Sequence, residues 1–256
     1  MLLTIFVLGE FMYNPSVENS LDNLLKEWKL KDRNSVFVSD GIVNPTKWKQ
    51  QDIRPLFLLK EAYGGKSDWS LIEYLSKSTD ENNNPRPIDV LTWKRVTHWT
   101  YGIFNTNRAT LPSFSDTEKL KYCFGNDQLQ SIAVVNVKKI AKNIIKSKTS
   151  NKGEIKRYAR RDRAFLKRQI ELIDPTVIIC GYTIKSLNII LYNTKKKGVK
   201  NYKKPHKDWH YSTKINDKNV IVLDFYHPAN WLAGGDLWNY SKITEIYQKA
   251  LQSINS

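Results

Sequence analysis

The stretch PLFLLKEAYGGKS, residues 55–67, carries an apolar run straight into a polar loop. That loop holds a carboxylate, Glu61, and a Gly64-Gly65-Lys66-Ser67 tetrapeptide. The run is continuous rather than alternating, which suits a strand covered on both faces. In such folds ligands bind just beyond the carboxyl ends of the strands, so the residues after Leu59 are the ones to read for function. They fit two chemistries: a loop that cradles phosphates, or one that aims an acid at a bond.

Three further runs read the same way: SIAVVNV (131–137), TVIICG (176–181) and NVIVLDF (219–225). Helical patterns lie between and after them. SDWSLIEYLSK opens on Ser67 as a candidate N-cap, and GEIKRYARRDRAFLKRQIELI puts Ala159, Leu166, Ile170 and Ile173 on one face. DLWNYSKITEIYQKALQSI follows the last run. Alternation of strand and helix predicts an α/β fold, a three-layer αβα sandwich around a mainly parallel, roughly four-stranded sheet. We expect one domain over residues 1–256, with an insertion around 66–130. Within it KSTDENNNPRP (77–87) reads as an excursion, and the stretches 146–154 and 192–208 read as basic surface loops. MLLTIFVLGEF (1–11) reads as a buried strand: it lacks a basic leader and a small-residue cleavage site and is too short to span a bilayer. The expected location is therefore cytoplasmic.

The 256 residues include 41 Lys and Arg against 25 Asp and Glu, a net charge of +16. Such an excess points to a polyanion partner, nucleic acid in the first instance. No segment pairs a clean apolar face with a basic one, which argues against a membrane surface. Two cysteines are too few for a disulfide framework or a Cys-rich metal or iron–sulfur site, and Cys180 reads as a core residue. None of the four histidines falls in a metal-binding pattern. The expectation is a monomer with no metal and no cofactor.

The phosphate-loop reading matches Gly65, Lys66 and Ser67 to the end of G-x-x-x-x-G-K-[ST]. The first glycine, which lets backbone N–H groups turn toward the phosphates, is replaced by Lys60. Glu61 would also stand close to anionic oxygens. A magnesium-dependent NTPase stays as an alternative on this loop and on the aspartate that ends VIVLD.

Taken in order, the strand ends offer Lys60-Glu61-Ala62-Tyr63, then Asn136, then the segment after DPTVIICG, then His227-Pro228-Ala229-Asn230. Over roughly residues 50–250 this order resembles the uracil-DNA glycosylase superfamily. There a first loop of the type Q-D-P-Y or G-E-A-P-G is followed by a strand-end asparagine and a final H-P-S. KEAYGG looks like a blend of the first-loop variants and HPAN is close to the last motif. Lys60, Ala229 and the long segment 66–130 depart from the pattern and leave the identity of the base open.

The resemblance implies an enzyme that flips a uracil-like or modified pyrimidine out of DNA and hydrolyses its N-glycosidic bond, leaving an abasic site. Glu61 would stabilise the sugar cation and position water, and His227 would donate to the departing base. Asn136 would read the base edge, since an amide both donates and accepts. Lys60 and Tyr63 would line the pocket. Phe104, Trp99 and Tyr101 are candidates to stack on the base, and Trp231 and Leu232 could fill the vacated stack. Lys138 and Lys139, with Lys195, Lys196 and Lys197 and the nearby Lys200, Lys203 and Lys204, would hold phosphates. Uracil repair and defence against viruses with modified DNA are both uses for this chemistry. The rival from another class is a non-catalytic DNA-binding protein on the same scaffold.

Overall fold

A computed structural model describes residues 16–142, 150–193, 209–230 and 234–253. The four apolar runs form β2 (Pro55–Tyr63), β4 (Ala133–Lys142), β5 (Val177–Gly181) and β7 (Lys218–Phe225). They pair in parallel in the order β4-β2-β5-β7. The sheet has five strands, not four, because β6 (His210–Ile215) adds an antiparallel edge beside β7. Asn216 and Asp217 join the two with φ of 49° and 61°, which is the type I′ geometry of a tight hairpin. The β6 sequence HYSTKI mixes polar and apolar residues, as suits an edge strand, and so gives no apolar run. A two-stranded parallel pair, β1 (Val38–Ser39) and β3 (Trp69–Ser70), stands apart from the main sheet. The stretch expected as an N-terminal strand lies outside the described residues.

Strand alternation divides the core between two helical layers. Leu56, Leu58, Ala133, Val135 and Ile178 face α1 (Ser16–Lys31), α6 (Lys152–Arg161), α7 (Arg163–Ile173) and α8 (Ile184–Tyr192). Phe57, Leu59, Val134, Ile179 and Leu223 face α3 (Leu71–Ser76), α4 (Leu91–Asn105) and α9 (Asp236–Ser253). The short α2 (Pro45–Gln50) is tied to the first layer by the Trp48 indole N–H, which donates to the Ile173 carbonyl at 2.9 Å. The short α5 (Asp127–Gln130) leads into β4. Among the described residues no helix is long and apolar enough to cross a membrane.

Two local expectations need correction. The helix after the glycine loop begins at Leu71 and is capped by Ser70, whose hydroxyl accepts from the Glu73 N–H at 3.1 Å; Ser67 is exposed loop. The pattern over 153–173 is two helices, broken at the buried Asp162, though Ala159, Leu166, Ile170 and Ile173 do share one buried face. Within the 66–130 segment α4 buries Trp93, Val96, Trp99 and Ile103 against the sheet. At Gly102 a Cβ would come within 2.5 Å of Thr244 Cγ2, so glycine sets how closely α4 meets α9. The 77–87 stretch within the same segment is largely exposed, as are residues 107–111.

The open edge of β4 is closed by the chain around Asp40. Val134 N–H donates to the Gly41 carbonyl at 2.8 Å and Ala141 N–H to the Val36 carbonyl at 2.9 Å. Between them the Asp40 carboxylate accepts from the Asn136 N–H at 2.8 Å. It also pairs with Lys139 and takes a hydrogen bond from the Gln169 amide at 3.0 Å. Asp40 and Lys139 are both fully buried. Lys139 is thus a core residue and does not reach a phosphate, which corrects its expected DNA contact. Replacing Lys139 alone with Met leaves an uncompensated carboxylate in the core. Urea unfolding of that variant should show a loss of about 3–5 kcal/mol. Breaking the exposed Lys242–Glu245 pair should cost under about 1 kcal/mol.

Candidate functional site

From β2 the chain crosses to β4 on one side, then returns past β2 to β5 on the other. The direction of winding therefore reverses between β2 and β5. A crevice opens at the carboxyl ends of strands at such a reversal. Lys60-Glu61 of β2, Gly181 at the end of β5 and Tyr182 just after it border it. Consecutive residues of a strand point to opposite faces, so Lys60 and Glu61 serve different surroundings.

On the Glu61 face, Leu59 lies opposite Asn136 and Glu61 opposite Lys138 in the β2–β4 register. Glu61 and Asn136 are therefore diagonal neighbours on one face. Gly181 belongs to the same face. A Cβ there would meet Leu59 Cδ2 at 2.8 Å and His227 Cα at 3.5 Å. The missing side chain lets the loop after β7 fold in against β2. His227 sits at this contact, and its Nδ1 accepts the Ala229 N–H at 3.1 Å. In the neutral ring the proton then belongs on Nε2. Burial, reinforced by the Lys60 ammonium, lowers the His227 pKa to about 3, so the ring is neutral at physiological pH.

Arg95 of α4 fixes this loop. Its guanidinium donates to the carbonyls of Pro228 at 3.0 Å and Asn230 at 2.6 Å, and it pairs with Asp236 at 2.8 Å. Asn230 in turn donates to the Tyr182 hydroxyl at 3.0 Å. The Glu61 carboxylate is fully covered, with Lys138 at 2.8 Å and Lys142 at 3.6 Å. Lys138 also reaches Glu154 of α6 at 3.1 Å and lies over the Tyr158 ring. Lys138 is therefore a buried partner of Glu61 and not a surface phosphate contact.

On the Lys60 face, a cavity of about 480 Å³ opens between the strand ends and the N-terminal ends of α6 and α8. Lys60, Lys152, Lys156 and Lys185 line it with Tyr182, Trp209, Tyr226 and a single carboxylate, Asp224. Burial pushes the Asp224 carboxyl up to about 6, against the pull of Lys185.

Several expected site residues stand elsewhere. Trp99 is wholly buried, edge-on to Phe225 at 5.2 Å, and cannot stack on a base. Phe104 is half-buried nine residues beyond Arg95, roughly 13 Å along the α4 axis and away from the His227 loop. Tyr63 is exposed, hydrogen-bonded through its hydroxyl to Ser150 at 3.0 Å, and does not line the cavity. Lys195, Lys196, Lys197, Trp231 and Leu232, with Lys200, Lys203 and Lys204, lie outside the described residues. The phosphate-loop reading fails on geometry. Gly64 and Gly65 do take positive φ, 84° and 91°, but Lys66 and Ser67 are exposed and lead into β3 rather than into a helix N-terminus.

Sequence reasoning missed Arg95, Tyr182 and Lys185, together with the Lys152–Lys156 pair, which an i, i+4 spacing at a helix start could have suggested; it noticed Asp224 only as the aspartate that ends VIVLD in the phosphate-loop reading. The chain matches no protein-family model, and no curated protein matches it.

The raised Asp224 carboxyl has a consequence for stability. Between its ordinary 3.8 and about 6 the folded chain holds a proton that the unfolded chain releases, so this group costs stability as pH rises through that window. Asp224→Asn should therefore be more stable than wild type by about 1–3 kcal/mol at pH 8 and equal to it near pH 3.5. Thermal or urea unfolding at the two pH values would check this. An equal gain at both would mean that the effect is not one of charge.

Proposed function

We propose that this chain is a DNA N-glycosylase acting on uracil or a modified pyrimidine. The observation that carries the reading is the neutral His227, its Nδ1 taken up by the Ala229 N–H and its backbone packed at Gly181, in one crevice with the strand β2 that carries Glu61. The order of strand-end residues supports it, as does the net charge of +16.

Glycosidic cleavage sends the C1′–N bond pair to the base and leaves positive charge on the sugar. A neutral imidazole donating from Nε2 stabilises the departing base anion. The Asn136 amide can pair with the base edge. The Glu61 carboxylate stabilises the sugar cation, and water adds to C1′, losing its proton to the base or to solvent. For this Glu61 must turn from Lys138 toward the substrate. Lys138 has Glu154 as a second carboxylate at 3.1 Å and stays paired when it does. Repair of uracil and attack on the modified DNA of viruses both remain uses for such an enzyme. The covered Glu61 carboxylate favours one second reading, a DNA-binding protein on this scaffold without catalysis.

Base release is measured as alkali-sensitive abasic sites under single turnover, on oligonucleotides carrying uracil or modified pyrimidines and on modified viral DNA. Wild type should release one class of base. Glu61→Gln and His227→Ala should each slow release roughly 10²-fold or more, while DNA affinity in Glu61→Gln stays near or above wild type. Asn136→Asp should shift base preference by about 1–3 kcal/mol. Lys66→Ala should change nothing. Salt-dependent DNA binding with no abasic site on any substrate would establish the non-catalytic reading instead.

A further inference from the structure

The cavity on the Lys60 face holds none of the residues given a chemical step above, although its Lys60 ammonium neighbours His227. Its charge is unbalanced: four ammonium groups, Lys60, Lys152, Lys156 and Lys185, line it against one carboxylate, Asp224. None of the four is in an ion pair among the described residues. Two of them, Lys60 and Lys152, gather over a single ring, that of Tyr182, at 5.1 and 5.9 Å from its centre. Burial first, and then the neighbouring Lys152, lower the Lys60 pKa against the opposing pull of Glu61, so the two ammonium groups stand close enough to repel.

Helix α8 adds to the positive end. Its N-cap residue Thr183 donates its hydroxyl to the Leu58 carbonyl at 2.6 Å, so no side chain caps the helix. Its first residues, Ile184 and Lys185, line the cavity. An uncapped helix N-terminus favours an anion. Trp209, Phe225 and Tyr226 add an aromatic wall beside Ile155 and Ser186. A volume of about 480 Å³ is far more than a bare phosphate fills and is that of a small-molecule site.

We propose that this cavity binds one nucleotide unit, with its phosphate held by the four lysines and the start of α8 and its base against Trp209 and Tyr226. Asp224 faces the same space and can accept from a base amino group or a sugar hydroxyl, groups that inorganic phosphate lacks. The nucleotide is either a free mononucleotide or one residue of a DNA strand. The proposal does not depend on base excision, because none of Glu61, Asn136 and His227 lines the cavity.

Calorimetric titration of the full chain tests it, with the four deoxynucleoside monophosphates, their nucleosides, inorganic phosphate and a short single-stranded oligonucleotide without uracil or modified bases. At least one monophosphate, or the oligonucleotide, should bind ten-fold or more tightly than nucleoside or phosphate alone. The Lys152→Ala/Lys156→Ala double variant should weaken that binding ten-fold or more with an unchanged unfolding temperature. A Lys214→Ala/Lys249→Ala variant, with the same loss of charge elsewhere, should bind as wild type. A monophosphate response assigns the free ligand, and a response of the oligonucleotide alone assigns a strand. No binding, equal binding of phosphate, or equal loss in both double variants would overturn the proposal. Because only equilibrium binding is read, a chain inactive in base release leaves this test intact, and an active one does not pass it by default.

Discussion

The Asp40 carboxylate is the group on which the first half of the sheet depends. It lies at the outer edge of β4, where a parallel strand would otherwise present unpaired N–H groups, and it takes one of them, from Asn136, directly. The same carboxylate is the counter-ion of the fully buried Lys139 and the partner of Gln169 on α7. Strand edge, core and helix layer are thereby joined at one point. A buried charge is tolerated only when its partners are complete, so this cluster restricts how β4 can sit. The position of β4 in turn sets where Asn136 and Lys138 stand beside β2.

The crevice follows from the winding of the sheet. Reversal between β2 and β5 leaves the ends of both strands open, and alternation along β2 sends Lys60 and Glu61 to opposite faces. One face gathers Glu61, Asn136 and the His227 loop, drawn in at Gly181 and held by Arg95. The other gathers lysines and aromatic rings around Asp224. Two environments of different chemistry thus arise from adjacent residues. Lys60 couples them, since its ammonium is a neighbour of Lys152 on one side and depresses the His227 pKa on the other.

Charge is arranged differently from what the total of +16 suggests. Lys138 and Lys139 follow the asparagine strand in sequence and look like phosphate contacts, yet both are buried and satisfied by carboxylates distant in sequence, Glu61 with Glu154 and Asp40. The lysines that gather around a cavity are Lys60 and those at the starts of α6 and α8. A lysine in an apolar strand is read correctly only when its partner is known, and that partner lies 77 residues away for Lys138 and 99 for Lys139.

The four apolar runs were enough to determine the parallel strands and the αβα layering, because burial on both faces leaves a continuous hydrophobic signature in any sequence. The helices of the first layer were legible from Ala159, Leu166, Ile170 and Ile173, since their spacing is a local property. The order of motifs singled out Glu61, Asn136 and His227, but Asn136 stands in the fourth position of the ten-residue β4 rather than at its end, because β4 runs on to Lys142 through lysines whose carboxylate partners lie in remote segments. Strand β6 was not legible, because an edge strand needs no apolar run and its hairpin turn, Asn216-Asp217, carries no glycine. The roles of Trp99, Lys139 and Asp224 were decided only by tertiary structure. Each depends on which groups from remote segments surround it: Phe225 closes over Trp99, Asp40 neutralises Lys139, and the lysines of α6 and α8 open a cavity before Asp224. Local sequence records the side chain and its periodicity, whereas burial, ion pairing and the shape of a cavity are properties of the packed whole.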